Sequence, residues 1–504
     1  MVAKSIVVRA LLAVFLLVLF VAAAIAAIVG LLYAGKFLLW LVPEIRGRGV
    51  IMIALAGAAC IIAAGVVAWS VLPRPDRFEP PGPEISVNKQ PALFAELRRV
   101  ANATGEAMPV HVYVVNEVNA FVAERGGVMG IGSRRVMGLG LPLLRTLTVS
   151  ELRAVIAHEM GHFYGGDTKL GPWIYKARGS MIRTVVNLDR ASNNAAEVSV
   201  VMQFLFIAVR APFKWLATGF LRVSQAVSRA QEYAADAVAV RTEGAPALIN
   251  GLKKSHAAGF AHQIYLRNEL SPLIDRGVLP PVGEGFTRFL GQQQIAALLA
   301  DSVDAELAEG QQDPYDSHPP LRERVAAALQ VSGPTRTPDD RPAIELMIEP
   351  EQYETAAIRA QVETPLTEVA WADTATHWVA AWREQLREHR GALGGLTLDE
   401  LPATAAERRA FARKVAGLQV DEVDDDAVRR WCVSTLGAAV ALALVEHGFA
   451  VESEPGAPHR LVAGAQVLSP FTELSAWWRG EADGAALRER YREAGLGDEP
   501  LISA

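Results

Sequence analysis

Two histidines and a glutamate form the clearest chemical pattern in the chain. His158, Glu159 and His162 belong to the pentapeptide HEMGH, which fits the pattern HExxH. On a helix, residues four apart share a face, so both imidazoles can reach one metal ion while Glu159 lies beside them. Two neutral nitrogen ligands, with a carboxylate that accepts a proton from metal-bound water, are what a zinc hydrolase needs. The alternative is a solvated helix with two histidines one turn apart.

Two histidines leave a zinc site incomplete, because a catalytic zinc usually has three protein ligands and one water. The pattern HExxHxxGxxH is met at Gly165, but its ligand position is Thr168, which is a poor zinc ligand. Glu232 and Asp236 offer a second route, since they lie one turn apart in a small, apolar stretch. Glu232 can bind the metal, and Asp236 can accept a hydrogen bond from the far nitrogen of a ligand histidine. The alternative, an exposed acidic helix face, is disfavoured because a carboxylate pair there is costly without a partner.

The stretch around the pentapeptide is predicted to be a helix with clear start and stop signals. Thr148 is a predicted N-cap, and Glu151 three residues later completes a capping box. The helix is expected to run to about Tyr164 and to stop at Gly165 and Gly166.

The flanking segments carry further predicted elements. A helix is expected over 91–104 and a strand over 110–115. The apolar segment 198–221 is interrupted by charges and a proline, so it is either a buried or membrane-surface helix or a partial membrane insertion. A separate helix is expected over 222–241, and a final helical piece after His318.

Two uncharged segments near the N-terminus are long enough to cross a bilayer. Residues 10–35 and 49–73 each exceed the roughly 20 residues that a membrane helix needs. A cleaved signal peptide is disfavoured because the first apolar run is too long and a second follows closely. The distribution of Lys and Arg slightly favours both ends of this hairpin on the cytoplasmic side. The chain is therefore expected to be a multi-pass protein of the cell membrane with a cytoplasmic catalytic domain.

Composition indicates which partners and which compartment to expect. The net charge of −6 provides no basic field for nucleic acid, so none is expected as a partner. Cys60 lies within the second apolar segment and Cys432 near the other end of the chain, which implies no disulfide framework and allows a reducing compartment. Oligomeric state is not readable from the sequence.

Proline-rich linkers suggest the domain boundaries. Residues 1–73 form the predicted membrane anchor, 74–86 a linker, 87–330 the metallopeptidase domain, 331–342 a second linker and 343–504 a mainly helical module of unreadable role.

Within the C-terminal module, the apolar run 431–445 is a core helix by its length. Trp371, Trp378 and Trp382 are more typical of a core than of a ligand site, and one hairpin is expected around 449–461.

Several short motifs accompany the pentapeptide in a fixed order. They are Asn119, Ala120 and Phe121; Glu151 and Leu152; Asp167; the run from Ser228 to Asp236; and Ser317, His318, Pro319 and Pro320 with Arg324. Over roughly residues 90–330 this set resembles the family of membrane zinc endopeptidases that includes the heat-shock protease HtpX and the CAAX prenyl proteases.

The resemblance implies a role for each matching residue. His158, His162 and Glu232 would bind one zinc ion per chain, with Glu159 as the general base. The resemblance also assigns three further roles. Asp236 would orient a ligand histidine, His318 would stabilise the tetrahedral oxyanion, and Asn119, Ala120 and Phe121 would form the edge strand that binds substrate. Asp167 and Arg229 match motif positions, and only structural or polar contacts are expected of them.

The chain also departs from the family pattern. Relatives have further spans between the HExxH helix and the glutamate helix, where this chain offers only segment 198–221. The multi-helix barrel of the prenyl proteases is missing, which argues against prenylated substrates. The expected fold is α+β and mainly helical: a gluzincin-type metallopeptidase domain with a small edge sheet, an N-terminal membrane hairpin and a C-terminal module.

The expected function is zinc-dependent hydrolysis of peptide bonds by a membrane-anchored endopeptidase. Its partners would be the lipid bilayer and peptide or protein substrates, with membrane-protein quality control as the family-based role. One alternative is a catalytically silent scaffold or binding protein that keeps the zinc fold, which the intact Glu159 disfavours. Another is a zinc hydrolase with a non-peptide substrate.

Overall fold

The computed structural model describes residues 2–44, 49–72, 76, 78–127, 132–163, 171–196, 200–310, 318–389, 394–401, 411 and 425–501. The chain divides into two units by its internal packing. The N-terminal unit comprises Met1–Ala257 and Asp301–Ile348, and the C-terminal unit comprises Ala258–Ala300 and Glu349–Ala504. The packing thus assigns Ala258–Ala300 to the C-terminal unit, while the functional domain boundaries given above stay a prediction.

The helices dominate the N-terminal unit. They are α1 (Val2–Leu41), α2 (Gly49–Val71), α3 (Pro91–Thr104), α4 (Leu141–Thr146), α5 (Val149–Gly161), α6 (Gly171–Ala196), α7 (Val200–Glu243) and α12 (Leu321–Ala328). The division between the units falls within α8 (Ala245–Tyr265) and α11 (Gln293–Glu309). The predicted helix over 91–104 is confirmed as α3.

A four-helix bundle holds the most apolar part of the chain. α1, α2, α6 and the first half of α7 share one hydrophobic cluster, in which the rings of Phe20 and Phe213 lie 5.4 Å apart. α1 and α2 approach so closely that a Cβ atom on Gly35 would lie 2.9 Å from the carbonyl oxygen of Gly57. Four of the described helices are long and apolar enough to cross a membrane: Leu11–Leu41, Gly49–Val71, Gln203–Glu243 and Val428–Glu446. The last of these extends beyond the run 431–445, so length alone does not make it a core helix as predicted. The chain is a multi-pass membrane protein.

The segment from 198 to 241 differs from its prediction. Two separate helices were expected, but α7 is one helix of 44 residues with Pro212 inside it. Packing explains the continuity, because Phe213 and Phe220 are buried against the bundle and offset the hydrogen bond that Pro212 cannot donate. α6 was not predicted from the sequence. It packs against α7 and lies between α5 and the segment that carries Glu232.

A four-stranded sheet lies beside the HExxH helix. Its strands are β1 (Glu84–Ile85), β2 (His111–Val115), β3 (Ala120–Arg125) and β4 (Arg134–Gly140), in the order β1-β2-β4-β3. β2 and β4 are parallel, and the other pairs are antiparallel. β3 is therefore an edge strand. Gly138 of β4 lies under the ring of Phe121, where a Cβ atom would be 2.2 Å from a ring carbon.

α5 begins as the sequence predicts. The Glu151 amide donates to Thr148 Oγ1 (3.3 Å), and the Thr148 amide donates to Glu151 Oε2 (2.8 Å), which confirms the capping box. The helix ends at Gly161, and His162 follows as its C-cap, so it stops before the predicted Tyr164. Gly161 packs against α7, since a Cβ atom there would lie 3.0 Å from the Cα of Ala235.

The C-terminal unit is mainly helical. Its elements include α9 (Ser271–Ile274), α10 (Val282–Gly291), α13 (Pro350–Arg359), α14 (Ala375–Glu388), α15 (Asp425–Glu446), α16 (Pro470–Arg479) and α17 (Gly484–Glu493), with the short parallel pair β5 (Val278–Leu279) and β6 (Thr367–Glu368). The predicted hairpin is part of a three-stranded antiparallel sheet, β7 (Ala450–Glu452), β8 (Arg460–Ala463) and β9 (Gln466–Leu468). Trp371, Trp378 and Trp382 are buried, as expected of core residues. The predicted fold class, α+β and mainly helical, is confirmed.

Candidate metal centre

α5 presents two imidazoles and a carboxylate together. The ring centroids of His158 and His162 lie 4.8 Å apart, with the ring planes at 80°. His158, Glu159 and His162 each offer a ligand-type atom within 4.8 Å of the others. One turn of helix therefore brings both rings to a common point, as the spacing predicts.

α7 brings a third donor to that point. Glu232 Oε2 lies 3.5 Å from His158 Nε2, and Glu232 Oε1 lies 3.7 Å from His162 Nε2. Zinc bonds to imidazole nitrogen and carboxylate oxygen are about 2.0–2.1 Å long, so neighbouring donors in a tetrahedral site are about 3.3 Å apart. The two distances from the Glu232 carboxylate are close to that value. Their chemistry and spacing fit a zinc ion.

The other nitrogen of His158 is held by a carboxylate. Asp236 Oδ1 lies 2.9 Å from His158 Nδ1, which leaves Nε2 directed toward Glu232. Arg324 binds Asp236 through two hydrogen bonds of 2.9 and 2.7 Å and lies 3.9 Å from Glu232. Asp236 is almost fully buried, so the guanidinium balances a charge that would otherwise be costly. We call His158, His162, Glu232, Asp236 and Arg324 the metal cluster.

His318 lies at the open side of the metal cluster. Its Nδ1 is 3.0 Å from Glu232 Oε2, and its side chain is 57% exposed. The residue follows the segment 311–317 and precedes Pro319, Pro320 and α12. Of the other residues that the sequence singled out, Arg229 has no hydrogen bond or ion pair to the metal cluster within the described part of the chain. Asp167, with Gly165 and Thr168, lies outside the described residues.

The electrostatics of the three α5 groups differ. Burial lowers the pKa of His158, but the hydrogen bonds that its ring donates to Asp236 and Glu232 together have the larger effect. They raise the pKa of His158 to about 9. Burial and the charge of His158 lower the pKa of His162 to about 4. Burial raises the pKa of Glu159. Buried carboxylates that stabilise an imidazolium would also stabilise a metal cation, which competes with that proton.

A cleft of about 490 Å³ opens over the metal cluster. Its lining includes Asn119 and Ala120 at the start of the edge strand, and His318 with the two prolines that follow it. It also includes four apolar side chains, which we call the apolar wall: Leu143, Val155, Leu248 and Leu252. An extended peptide could pair with β3 and place a side chain on this wall.

Sequence reasoning missed two parts of this arrangement. α8 was not predicted to line the cleft, although Leu248 and Leu252 show the four-residue spacing of one helix face. Arg324 was recognised as part of a motif, but its pairing with Asp236 was not expected. No spacing rule joins residues 88 positions apart.

The known proteins that resemble this chain match it over the segment that carries the candidate site. Residues 88–332 match peptidase family M48. A Protease HtpX homolog from Tropheryma whipplei is 28% identical over 254 residues, which are 48% of this chain and 73% of the relative. A Protease HtpX homolog from Pelotomaculum thermopropionicum is 25% identical over 244 residues, 48% of this chain and 76% of the relative. Protease HtpX from Xanthomonas axonopodis pv. citri is 24% identical over 254 residues, 48% of this chain and 73% of the relative. No solved structure matches the chain.

Proposed function

We propose, from the premise that residues 88–332 belong to peptidase family M48, that this membrane-anchored metallopeptidase is a zinc-dependent endopeptidase. The observation that carries the proposal is the position of Glu232. Its carboxylate lies 3.5 and 3.7 Å from the Nε2 atoms of two histidines that are 70 or more residues away in sequence. Two imidazoles and a carboxylate at such spacing match the ligand set of a catalytic zinc ion.

In this proposal each side chain has a defined task. His158, His162 and Glu232 hold one zinc ion, and Asp236 fixes the ring of His158 through its Nδ1 proton. A zinc ion held there supplies a Lewis acid that lowers the pKa of water and polarises a peptide carbonyl.

Glu159 is the proposed general base. It accepts a proton from the attacking water and delivers it to the leaving amine. Burial raises the pKa of Glu159, which makes its carboxylate a stronger base, while the positive charges of His158, His318 and Arg324 favour its ionised form. His318 donates a hydrogen bond to the oxygen that gains negative charge, a contribution whose loss typically costs about 10²–10³ in rate.

The cleft supports a peptide as the substrate. Among the described residues β3 pairs with a strand on one side only, with β4, and peptide strands add to such edges through main-chain hydrogen bonds. The apolar wall would bind one apolar side chain beside the scissile bond. Membrane proteins are the substrates that a site on a multi-pass protein meets first, so we propose quality control of membrane proteins in the cell membrane, with the catalytic site on the cytoplasmic side.

A comparison of three proteins tests the proposal. The purified full-length chain, Glu159→Gln and the control Glu345→Gln are incubated with casein, and the zinc content of each is measured. We expect one zinc per chain in all three, with cleavage lost only in Glu159→Gln. Glu345 is exposed and lies in the same unit, so its change leaves the metal cluster intact.

Two outcomes would contradict the proposal. Zinc bound by all three proteins without cleavage of casein or of a membrane protein favours the silent scaffold. Equal cleavage by Glu159→Gln and the unmodified chain removes Glu159 as the base.

A further inference from the structure

α7 carries both a segment of the membrane bundle and a proposed metal ligand. Its first half packs against α1, where Phe213 meets Phe20 and Gly219 lies against Leu16. Its second half carries Glu232 and Asp236. The helix is continuous from Val200 to Glu243, so both parts belong to one rigid element.

Both ends of α7 are fixed by close packing. At the site, Gly161 of α5 allows a close approach to α7 that a Cβ atom would crowd, since that atom would lie 3.0 Å from the Cα of Ala235. The hydrogen bond between His158 and Asp236 lies next to this contact. A tilt of α7 would therefore separate Glu232 from the two histidines. The height of the metal cluster above the membrane is set by the length of α7 rather than by a flexible linker.

The side chains of α7 bracket the point at which it leaves the bilayer. Trp215 is 73% exposed, and tryptophan is enriched at membrane interfaces. No exposed large apolar side chain follows it on the described part of α7. Arg222, which is exposed, is the first charged residue after this tryptophan. Lys214, next to Trp215, is exposed as well, and a lysine near the end of a membrane segment can extend its ammonium group to the interface. We therefore place the membrane boundary on α7 between Trp215 and Arg222.

Helix geometry gives the distance from this boundary to Glu232. Glu232 follows Trp215 by 17 residues and Arg222 by 10 residues. At about 1.5 Å per residue these separations are about 25 and 15 Å. An extended polypeptide advances about 3.3 Å per residue, so it needs about five to eight residues to reach the metal cluster from the membrane surface.

We infer that α7 acts as a ruler, so that a membrane-anchored substrate is cut only at bonds at least about five to eight residues beyond the end of its membrane segment. The inference rests on the proposed peptidase activity. It adds a selection by position, which the metal cluster alone does not provide, and it excludes bonds within the bilayer or directly at its surface.

A spacer series tests the ruler. The full-length chain in liposomes receives single-span test proteins in which 2, 4, 6, 8, 12 or 16 Gly and Ser residues separate the membrane segment from a casein-derived sequence. The same sequence without a membrane segment is the reference. We expect cleavage to rise to a plateau between spacers of about 5 and 8 residues, and to be about tenfold or more slower with a spacer of 2 residues.

A longer ruler should shift this threshold. Seven residues of helix inserted between Val223 and Ser224 lengthen α7 by about 10 Å and keep its face, so the threshold should move by about three residues. The same seven residues inserted after Gly464, in the turn between β8 and β9, are the control and should leave it unchanged.

The outcomes separate the two proposals. If the reference sequence is not cut, the proposed peptidase activity is wrong. If it is cut and spacers of 2 and 12 residues are cut equally fast, only the ruler is wrong. If the lengthened chain no longer cuts the reference sequence, the spacer series with the unmodified chain decides alone.

Discussion

Two histidines with little solvent exposure, His158 and His459, have opposite surroundings and opposite pKa shifts. His158 of the metal cluster has carboxylates at both nitrogens, Asp236 at 2.9 Å and Glu232 at 3.5 Å, and its pKa is raised to about 9. His459 of the C-terminal unit lies among rings, with Trp378, Trp382 and Phe471 at centroid distances of 4.9, 5.3 and 5.7 Å. Burial lowers the pKa of His459 to about 4. We call these four rings the aromatic cluster.

The difference separates an imidazole held by carboxylates from an imidazole packed among aromatic rings. Within the described part of the chain, the buried Nδ1 of His459 and the Nε1 of Trp378 have no hydrogen-bond partner. Such a cluster stabilises the fold through apolar contact, and its imidazole stays neutral. The metal cluster instead concentrates buried carboxylates, which are costly unless a cation balances them. Buried histidines therefore point to chemistry when carboxylates surround them.

The largest expected effect comes from removing a carboxylate of the metal cluster. Glu232→Gln keeps the shape of the side chain but removes the charge that faces both Nε2 atoms. We expect most of the zinc to be lost, and cleavage to fall roughly a thousandfold or more, since losing an orienting partner alone costs about 10- to 100-fold. Metal analysis and casein cleavage measure the two effects.

The matched change in the other region is Glu473→Gln. Glu473 has a side chain that is only 14% exposed and belongs to the C-terminal unit. Normal zinc content and cleavage are expected for this variant. Loss of zinc in Glu473→Gln, or its retention in Glu232→Gln, would remove the contrast between the two regions.

A smaller effect is expected from Asp236→Asn. The asparagine can still reach His158, but it no longer carries the charge that pairs with Arg324 and orients the ring. Zinc affinity should fall about 10- to 100-fold, which a competition titration with a chelator measures. Asp304→Asn, an exposed change on α11, should leave the affinity unaltered. An affinity within twofold of the unmodified chain would show that Asp236 has no orienting role.

The sequence predicts the local parts of this site better than its distant ones. The four-residue spacing of His158 and His162 and the capping box at Thr148 depend only on helix geometry, and both are present as expected. Glu232 was proposed because a charged pair in an apolar helix needs a partner, and the structure gives it that partner. The pairing of Arg324 with Asp236 depends on how α12 packs on α7, which periodicity does not encode.

In the membrane bundle, by contrast, local sequence signals led to a wrong prediction. Charges and Pro212 suggested a break in the segment from 198 to 241, because sequence rules weigh each residue without its neighbours. In the bundle, contacts with α1 and α6 outweigh those local signals and keep α7 continuous. A sequence without its tertiary contacts could not decide this point.

The apolar wall provides a prediction of intermediate size. Leu252→Ala enlarges the cleft at the apolar wall, so peptides with a large aromatic side chain next to the scissile bond should gain relative to those with leucine. A change of about tenfold in the ratio of kcat/KM values is expected, since a few methylene groups in a pocket are worth about 1–3 kcal/mol. Ile249→Ala, on the same helix but outside the cleft, is the control. An unchanged ratio in Leu252→Ala would place the substrate side chain elsewhere.

The smallest effect is expected in the aromatic cluster, and it appears only in acid. The pKa of His459 is about 4 in the folded chain, against about 6.5 for an unfolded histidine. The unfolded state therefore binds more protons between these values, so stability is complete above about pH 6.5 and is lost as the pH falls toward 4. Because part of the ring is exposed, the loss should be about 1–2 kcal/mol rather than the full value of the shift.

His459→Phe should remove this loss without changing zinc content or cleavage. Urea denaturation at pH 7.5 and pH 5, with His377→Phe as the control from the same unit, measures it. An equal acid loss in His459→Phe and the unmodified chain would mean that the imidazole is already solvated, and the contrast with His158 would then rest on the metal cluster alone.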